Sequence, residues 1–402
     1  MKKFELLIVI LFFNYTFSFA QNFTFIAGKV INKDTQQPVE GVFVGIPAKG
    51  ALTSSLGVVT NELGEFTLKY PILLQNTGNF VITKVDFKDI RKSLIEYKVK
   101  RDSLVFEIQP VPQKTIEAND GRKVLDYAIS RLEKNYNGNP YFMNGFYREV
   151  LTWDSSVVKL SEAVVKVEKY PFPEKGNLGE VSKLLKGRTY LKDEQRESWE
   201  NLQFGNGVDL VSRTIESKLP DFLEKQNLKN YKFQINTNLS EYDGMPVYNI
   251  SFSPIDKKVK GGKVGEIQVD TITMGIINYS YQFTPEGLKD VMGGSAFGGS
   301  KDATVKSFKV RQAYHAASNN YYLHDSVIEI EAESVQNKQT TYAYLLVKFN
   351  PTETNTRMGL PIKDNEIMEN TDFPNGGKKY EDNFWGNFNF IKPNPAFRQI
   401  VK

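Results

Sequence analysis

The 402-residue chain contains no cysteine and only two histidines. The missing cysteine excludes disulfides, thiolate metal ligands and the lipid-modified cysteine that tethers bacterial lipoproteins. His315 and His324 flank "AASNNYYL", and neither belongs to a His-Glu-x-x-His helix or a His-x-x-Glu pair. No metal site is expected, and both read as surface or interface residues beside a hairpin turn. Charge of one sign is also scarce. Lys+Arg is 51 and Asp+Glu is 47, a formal net charge of +4, which excludes the basic stripe that a nucleic-acid surface needs. The densest basic run, "DKKVKGGK" (Asp256 to Lys263), has the glycines of a solvated hairpin loop. No apolar run after the N-terminus is long enough to span a membrane as a helix.

Catalytic signatures are equally thin. "GGSAFGGSK" (Gly293 to Lys301) has the glycine spacing of a phosphate-binding loop, but Ser300 and Lys301 are reversed and a strand pattern follows. It also fails as a hydrolase elbow, because Ser295 is followed by Ala296-Phe297. A mobile glycine-rich loop is the expectation, with no catalytic residue and no cofactor.

The N-terminus carries a positive signal. Lys2 and Lys3 precede "LLIVILFF", and "SFA" (Ser18 to Ala20) places small residues before a cut at Gln21. Residues 1–20 therefore read as a secretory signal peptide, and the mature chain as exported to the periplasm, outer membrane or cell surface.

From residue 21 to 112, short alternating runs are separated by turn residues: "FTFIAGKVI", "GVFVGI", "GEFTLKY", "NFVITKVDF" and "DSLVFEI". The spacing predicts a β-sandwich of the seven-strand type. Gly28-Lys29-Val30, Pro38-Val39-Glu40-Gly41-Val42 and Thr60-Asn61-Glu62-Leu63-Gly64-Glu65-Phe66 resemble the carboxypeptidase-regulatory-like domain. That resemblance implies a transthyretin-like sandwich, with Asn61 standing where the family usually has Asp. Gly64 should take a positive φ, and Phe66 should fill the core. A zinc carboxypeptidase would need two His and a Glu as ligands. This chain has the sandwich pattern without the peptidase.

"VPQKTIEAND" (Val111 to Asp120) reads as a linker, and apolar residues at helical spacing predict a helix over Gly121 to Tyr136. The run of "NYNGNP", "GFYRE", "SEA" and "EKYPF" after this helix resembles a group of bacterial envelope proteins. Residues 113–230 combine this helix, strands and a mixed polar segment, with short helices expected around Val208 to Lys218 and Asp221 to Gln226. Residues 231–402 read as an antiparallel β-rich region, which could form one domain with 113–230. A hairpin is expected to turn at Asp243-Gly244. Ile277, Tyr279, Tyr281 and Phe283 should share one face of a strand, as should Ala343, Leu345, Val347 and Phe349. Such sheets would be packed on one side and wet on the other. "GEIQVDTITMGIINYSYQF" (Gly265 to Phe283) resembles bacterial lipoprotein-carrier proteins, which implies a curved sheet around an apolar cavity closed by helices.

The fold class expected is therefore mainly β, α+β overall: a sandwich, a linking helix, then a larger curved antiparallel sheet with a few helices. Aromatic residues make up 13% of the chain. β-sheets favour them generally, but Tyr279, Tyr281, Phe283, Tyr321, Tyr322 and Trp385 are the candidates for binding. The last three adjoin polar turn residues. The functional expectation is a non-enzymatic interaction or structural module with an envelope protein partner. The alternative is a carrier of an apolar, lipid-like ligand, and the third is an enzyme of a type without a motif here. The sequence leaves the oligomeric state open.

Overall fold

The computed structural model describes residues 22–48, 54–112, 114–115, 120–172, 179–192, 207–292, 303–317, 320–336, 339–357, 359–369, 373–377 and 379–398. Residues 1–21, where a signal peptide is expected, and the glycine-rich segment 293–301 lie outside the described residues. No described helix is long and apolar enough to cross a membrane.

The N-terminal region builds seven strands: β1 (Phe23–Asn32), β2 (Phe43–Ile46), β3 (Ser54–Val59), β4 (Glu65–Pro71), β5 (Asn79–Thr83), β6 (Ile90–Ser93) and β7 (Leu104–Ile108). They pair in the orders β4–β1–β7 and β6–β5–β2–β3. Alternation drives this. Phe66, Leu68 and Tyr70 point inward from β4 while their neighbours face out. They meet Ile26 and Val30 of β1, Phe80 and Ile82 of β5, and Phe106 of β7 in one apolar cluster. Gly64 has φ +72°, and a Cβ there would lie 2.4 Å from the Val30 carbonyl oxygen, so glycine is required on both counts. The Asn61 side chain accepts from the backbone N–H of Leu63 (3.0 Å) and Glu65 (2.8 Å). Its amide also donates to the Lys392 carbonyl at 3.3 Å. An Asp could accept the first two bonds but could not donate the third. The asparagine thus ties the turn to the C-terminal segment.

This region is not closed off from the rest. Ser54 to Leu56 of β3 pair with Asn355 to Glu353 at the end of a long later strand. After β8 (Lys114–Thr115), the Asp120 carboxyl caps α1 (Gly121–Ser130) by accepting from the Arg122 N–H. The expected single helix is two pieces, because the chain breaks at Arg131 before α2 (Leu132–Asn135).

The remaining strands are β9 (Tyr141–Trp153), β10 (Ser156–Lys169), β11 (Glu180–Leu191), β12 (Tyr231–Ile235), β13 (Asn238–Tyr242), β14 (Met245–Pro254), β15 (Lys263–Asp270), β16 (Ile276–Phe283), β17 (Ala303–Ala317), β18 (Asn320–Gln336) and β19 (Gln339–Asn355). They run antiparallel in the order β11–β10–β9–β19–β18–β17–β16–β15–β14, with β12 and β13 both paired to β14. Asp243 and Gly244 turn the β13–β14 hairpin with φ +50° and +75°, the two positive values that a tight primed turn requires. The residue rows expected on β16 and β19 do face one interior: Ile277 and Tyr279 with Ala343, Leu345, Val347 and Phe349. Tyr281 and Phe283 pack at its edge.

Two short helices lie against this sheet: α3 (Gly207–Ser212) touches β11, β18 and β19, and α4 (Pro285–Met292) touches β16 and β17. The sheet differs from a one-sided layer at β9 and β10. There Tyr147, Ala163 and Val165 face the main interior, whereas Phe146, Val150, Leu160 and Val164 face the opposite side. Both sides are buried because the C-terminal segment runs over the second face. Trp385, Phe390 and Ile391 pack there on Phe146, and the short α5 (Pro395–Arg398) follows.

Candidate ligand-binding site

The inner face of the large sheet is aromatic across β12, β14 and β16, with β15 lying between β14 and β16. Tyr231 and Phe233 come from β12, Phe252 from β14, and Tyr279, Tyr281 and Phe283 from β16. The stretch Asp221–Leu223, a single 3-10 turn, places Phe222 on this surface. Its ring stacks on Phe252 at 4.4 Å and 15° and meets Tyr281 edge-on at 5.4 Å. Such arrangements contribute about 0.5–1.5 kcal/mol beyond area burial. Phe222 is fully buried. Phe222 therefore covers the row from an irregular segment, not from a second sheet.

Polar clasps hold that segment down. Lys263 Nζ pairs with the Asp221 carboxylate at 2.7 Å and lies 4.5 Å from the Phe283 ring centre. Gln312 Nε2 donates to the Arg213 carbonyl at 2.6 Å, and the Ile215 N–H donates to Tyr314 Oη at 2.9 Å. Lys169 Nζ donates to Glu180 (2.6 Å) and to the Ser212 carbonyl (3.0 Å). Tyr141 Oη donates to Glu216 Oε1 at 2.6 Å. Burial pushes the Glu216 carboxyl up, although Lys169 opposes it, whereas the Lys169 ammonium holds Glu180 below the usual carboxylate range against its own burial. Both carboxyls are buried in contacts with the covering segment and act there as latches.

Of the residues singled out from sequence, Tyr279 is buried in this row, with its hydroxyl donating to Gln312 Oε1 at 2.6 Å. Tyr281 and Phe283 remain half-buried at its edge, where Phe283 meets Phe308 of β17 at 5.4 Å. Tyr321, Tyr322 and Trp385 are not exposed platforms. Tyr321 is buried and donates to Asp270 Oδ2 at 2.9 Å, and Tyr322 packs edge-on against Tyr141. Trp385 is completely buried between Phe146 and Phe384. Polar neighbours in sequence are a poor guide here, because Tyr321 and Tyr322 belong to β18 and Trp385 to the 3-10 turn Asp382–Trp385, and each ring is buried. Phe222 falls in "LPDFLE", which the sequence marks only as a short helix and not as a source of a buried ring.

The histidines are also buried. His315 stacks on Phe43 of β2 at 4.6 Å, and His324 lies 5.8 Å from His315. Burial pushes them down to about 3 and about 4, so both are neutral at ordinary pH. Among the described residues, no three His, Asp or Glu side chains form a metal-sized cluster.

No protein-family model and no curated protein matches the chain. Among solved structures, it is similar to a DUF1329 family protein from Desulfovibrio piger. The identity is 9% and the TM-score 0.24, over 62% of this chain and 100% of that one. It is also similar to a LolA superfamily protein from Nitrosomonas europaea, at 12% identity and a TM-score of 0.23, over 60% of this chain and 96% of that one. Nothing in these comparisons answers to the carboxypeptidase-regulatory-like resemblance. At such TM-scores neither likeness assigns a fold or a function, and the geometry has to supply the reading.

Proposed function

We propose that this is a non-enzymatic, exported binding protein of the bacterial envelope that carries an apolar, lipid-like ligand on the aromatic face of its large sheet. The observation that supports this most is the placement of Phe222. It fills the middle of an aromatic row from a short covering segment, and that segment is held by separable polar clasps. An apolar chain could take the ring's place without unpairing any strand. The test is titration with an apolar fluorescent probe, 1-N-phenylnaphthylamine. Saturable binding is expected, and Phe222→Ala should strengthen it by opening the row. Absence of saturable binding in both proteins would sink the carrier reading.

A second reading, an interaction module with an envelope protein partner, is favoured by Phe23, Phe25, Ile72 and Leu73. These apolar side chains are exposed near the start of β1 and the end of β4. Changing Phe23 and Phe25 to Ser should then abolish co-purification of a partner from the native envelope while leaving probe binding intact.

A further inference from the structure

A separate chamber of about 70 Å³ lies at the seam between the N-terminal strands and the large sheet. Phe43, Thr83 and Asp89 face it from the N-terminal region, and Tyr242 and His315 from the large sheet. Thr83 and His315 are each more than nine-tenths buried. Asp89 Oδ1, Thr83 Oγ1 and both ring nitrogens of His315 are buried without a hydrogen bond of normal geometry. The Asp89 carboxyl still interacts with Thr83 and with Asp243, and His315 with the Tyr322 backbone, through looser hydrogen bonds. Buried polar atoms are seldom left in this state. Four such atoms with weak or absent partners around one small space leave hydrogen bonds for a guest to complete.

The seam also has a mouth. Arg91 of β6 pairs with Asp243 of the β13–β14 turn and lies 3.5 Å from Asp89, so one exposed guanidinium bridges the two regions. Beyond it, Ile46, Pro47, Val81 and Arg91 are shared with an outer groove of about 600 Å³, which Leu74 also lines.

The chemistry narrows the guest. A carboxyl oxygen, a hydroxyl and a neutral imidazole nitrogen are acceptors for the three N–H donors of a primary ammonium group. Phe43 and Tyr242 add aromatic walls that favour a cation. An anion would meet Asp89 and Asp243. We propose that the chamber binds the ammonium group of a small primary amine, whose short apolar tail lies along Ile46, Pro47 and Leu74 in the outer groove.

Binding should be coupled to a proton. Burial, and then the facing Asp243, push Asp89 up to about 7. The groups around it are Thr83 of β5, Arg91 of β6, Tyr242 and Asp243 of the hairpin, and His315 of β17. An ammonium guest favours the ionised carboxylate, so affinity should rise as pH rises through about 7, until the amine itself loses its proton.

The test is isothermal titration of the mature chain with n-butylamine, and with n-butanol as a neutral control of similar shape. Saturable amine binding is expected, weakened roughly tenfold or more in Asp89→Asn, an effect of about 1.4 kcal/mol. Thr83→Val, which keeps the side-chain shape, should weaken binding severalfold and decides the matter if Asp89→Asn does not fold. Phe222→Ala should leave amine binding unchanged, which separates this site from the aromatic face. No amine binding, equal binding of butanol, or undiminished affinity in both variants would overturn the proposal and leave a chamber that holds only water.

Discussion

The two regions of this protein bury very different interiors. Among the described residues up to Ile108, the buried polar side chains are Thr24, Ser54, Ser55, Thr60, Asn61, Gln75 and Thr83, none of them ionisable. The large sheet buries Arg148, Glu149, Glu162, Glu168, Lys169, Glu180, Arg188 and Glu216. The first interior closes because alternating strands bring two apolar faces together. The second must also hold irregular segments against a sheet, and those segments carry backbone carbonyls that need donors. Arg148 Nη2 donates to the Ile391 carbonyl at 2.6 Å, and Arg188 Nη1 donates to the Glu381 carbonyl at 2.9 Å. Glu162 lies between the two guanidiniums, 2.7 Å from one and 3.1 Å from the other, and also accepts from Tyr380. Buried charge here is the means by which the C-terminal segment is attached.

The sharpest way to break this comparison is to remove the shared carboxylate. Glu162→Ala should cost at least about 3–5 kcal/mol in denaturant melts, because two guanidiniums remain buried without their counter-charge. Replacing Arg148, Glu162 and Arg188 together by apolar residues of similar volume should recover most of that loss. If the single change is mild, the network is not an attachment device. In the N-terminal region, Phe66→Ala should cost about 3–5 kcal/mol by a different route, the emptying of a filled apolar site. It should show no dependence on ionic strength or pH, which the same melts at several salt concentrations will check.

The pH profile distinguishes the regions further. His315 and His324 are held neutral in the fold, below their ordinary range near 6.5. The unfolded chain therefore binds the extra protons first. Stability should be fully present above about pH 6.5 and decline as pH falls toward about 4, by at most about 1.4 kcal/mol per unit for each histidine. Asp89 acts in the opposite sense. Its folded value of about 7 lies above that of the unfolded chain, so its contribution is present in acid and lost as pH rises through about 7. Melts of His315→Leu and Asp89→Asn across this range should each flatten one limb of the profile.

Smaller effects test the edges. Phe283 is half-buried, so Phe283→Ala should cost about 1–2 kcal/mol, less than the roughly 3–5 of a filled core site. It should also weaken probe binding. A larger loss without probe binding in the parent protein would count against the carrier reading. Asn61→Asp should keep the turn and cost about 1 kcal/mol, the value of the lost bond to the Lys392 carbonyl.

The sequence by itself determined what repeats along the chain. Period-two alternation placed Phe66, Tyr279 and Val347 on inward faces, and Asp243-Gly244 marked a hairpin, because those patterns follow from the pleat and from backbone sterics. Tertiary structure alone decided where lone residues went. Trp385, Tyr321 and the two histidines sit among polar neighbours, yet each is buried by strands far away in sequence. Phe222 caps the aromatic row, and Thr83, Asp89 and His315 meet across a seam, although no local spacing links them. Burial and pairing at such sites are set by which surfaces the fold brings together, a property of long-range packing that no short window of sequence contains.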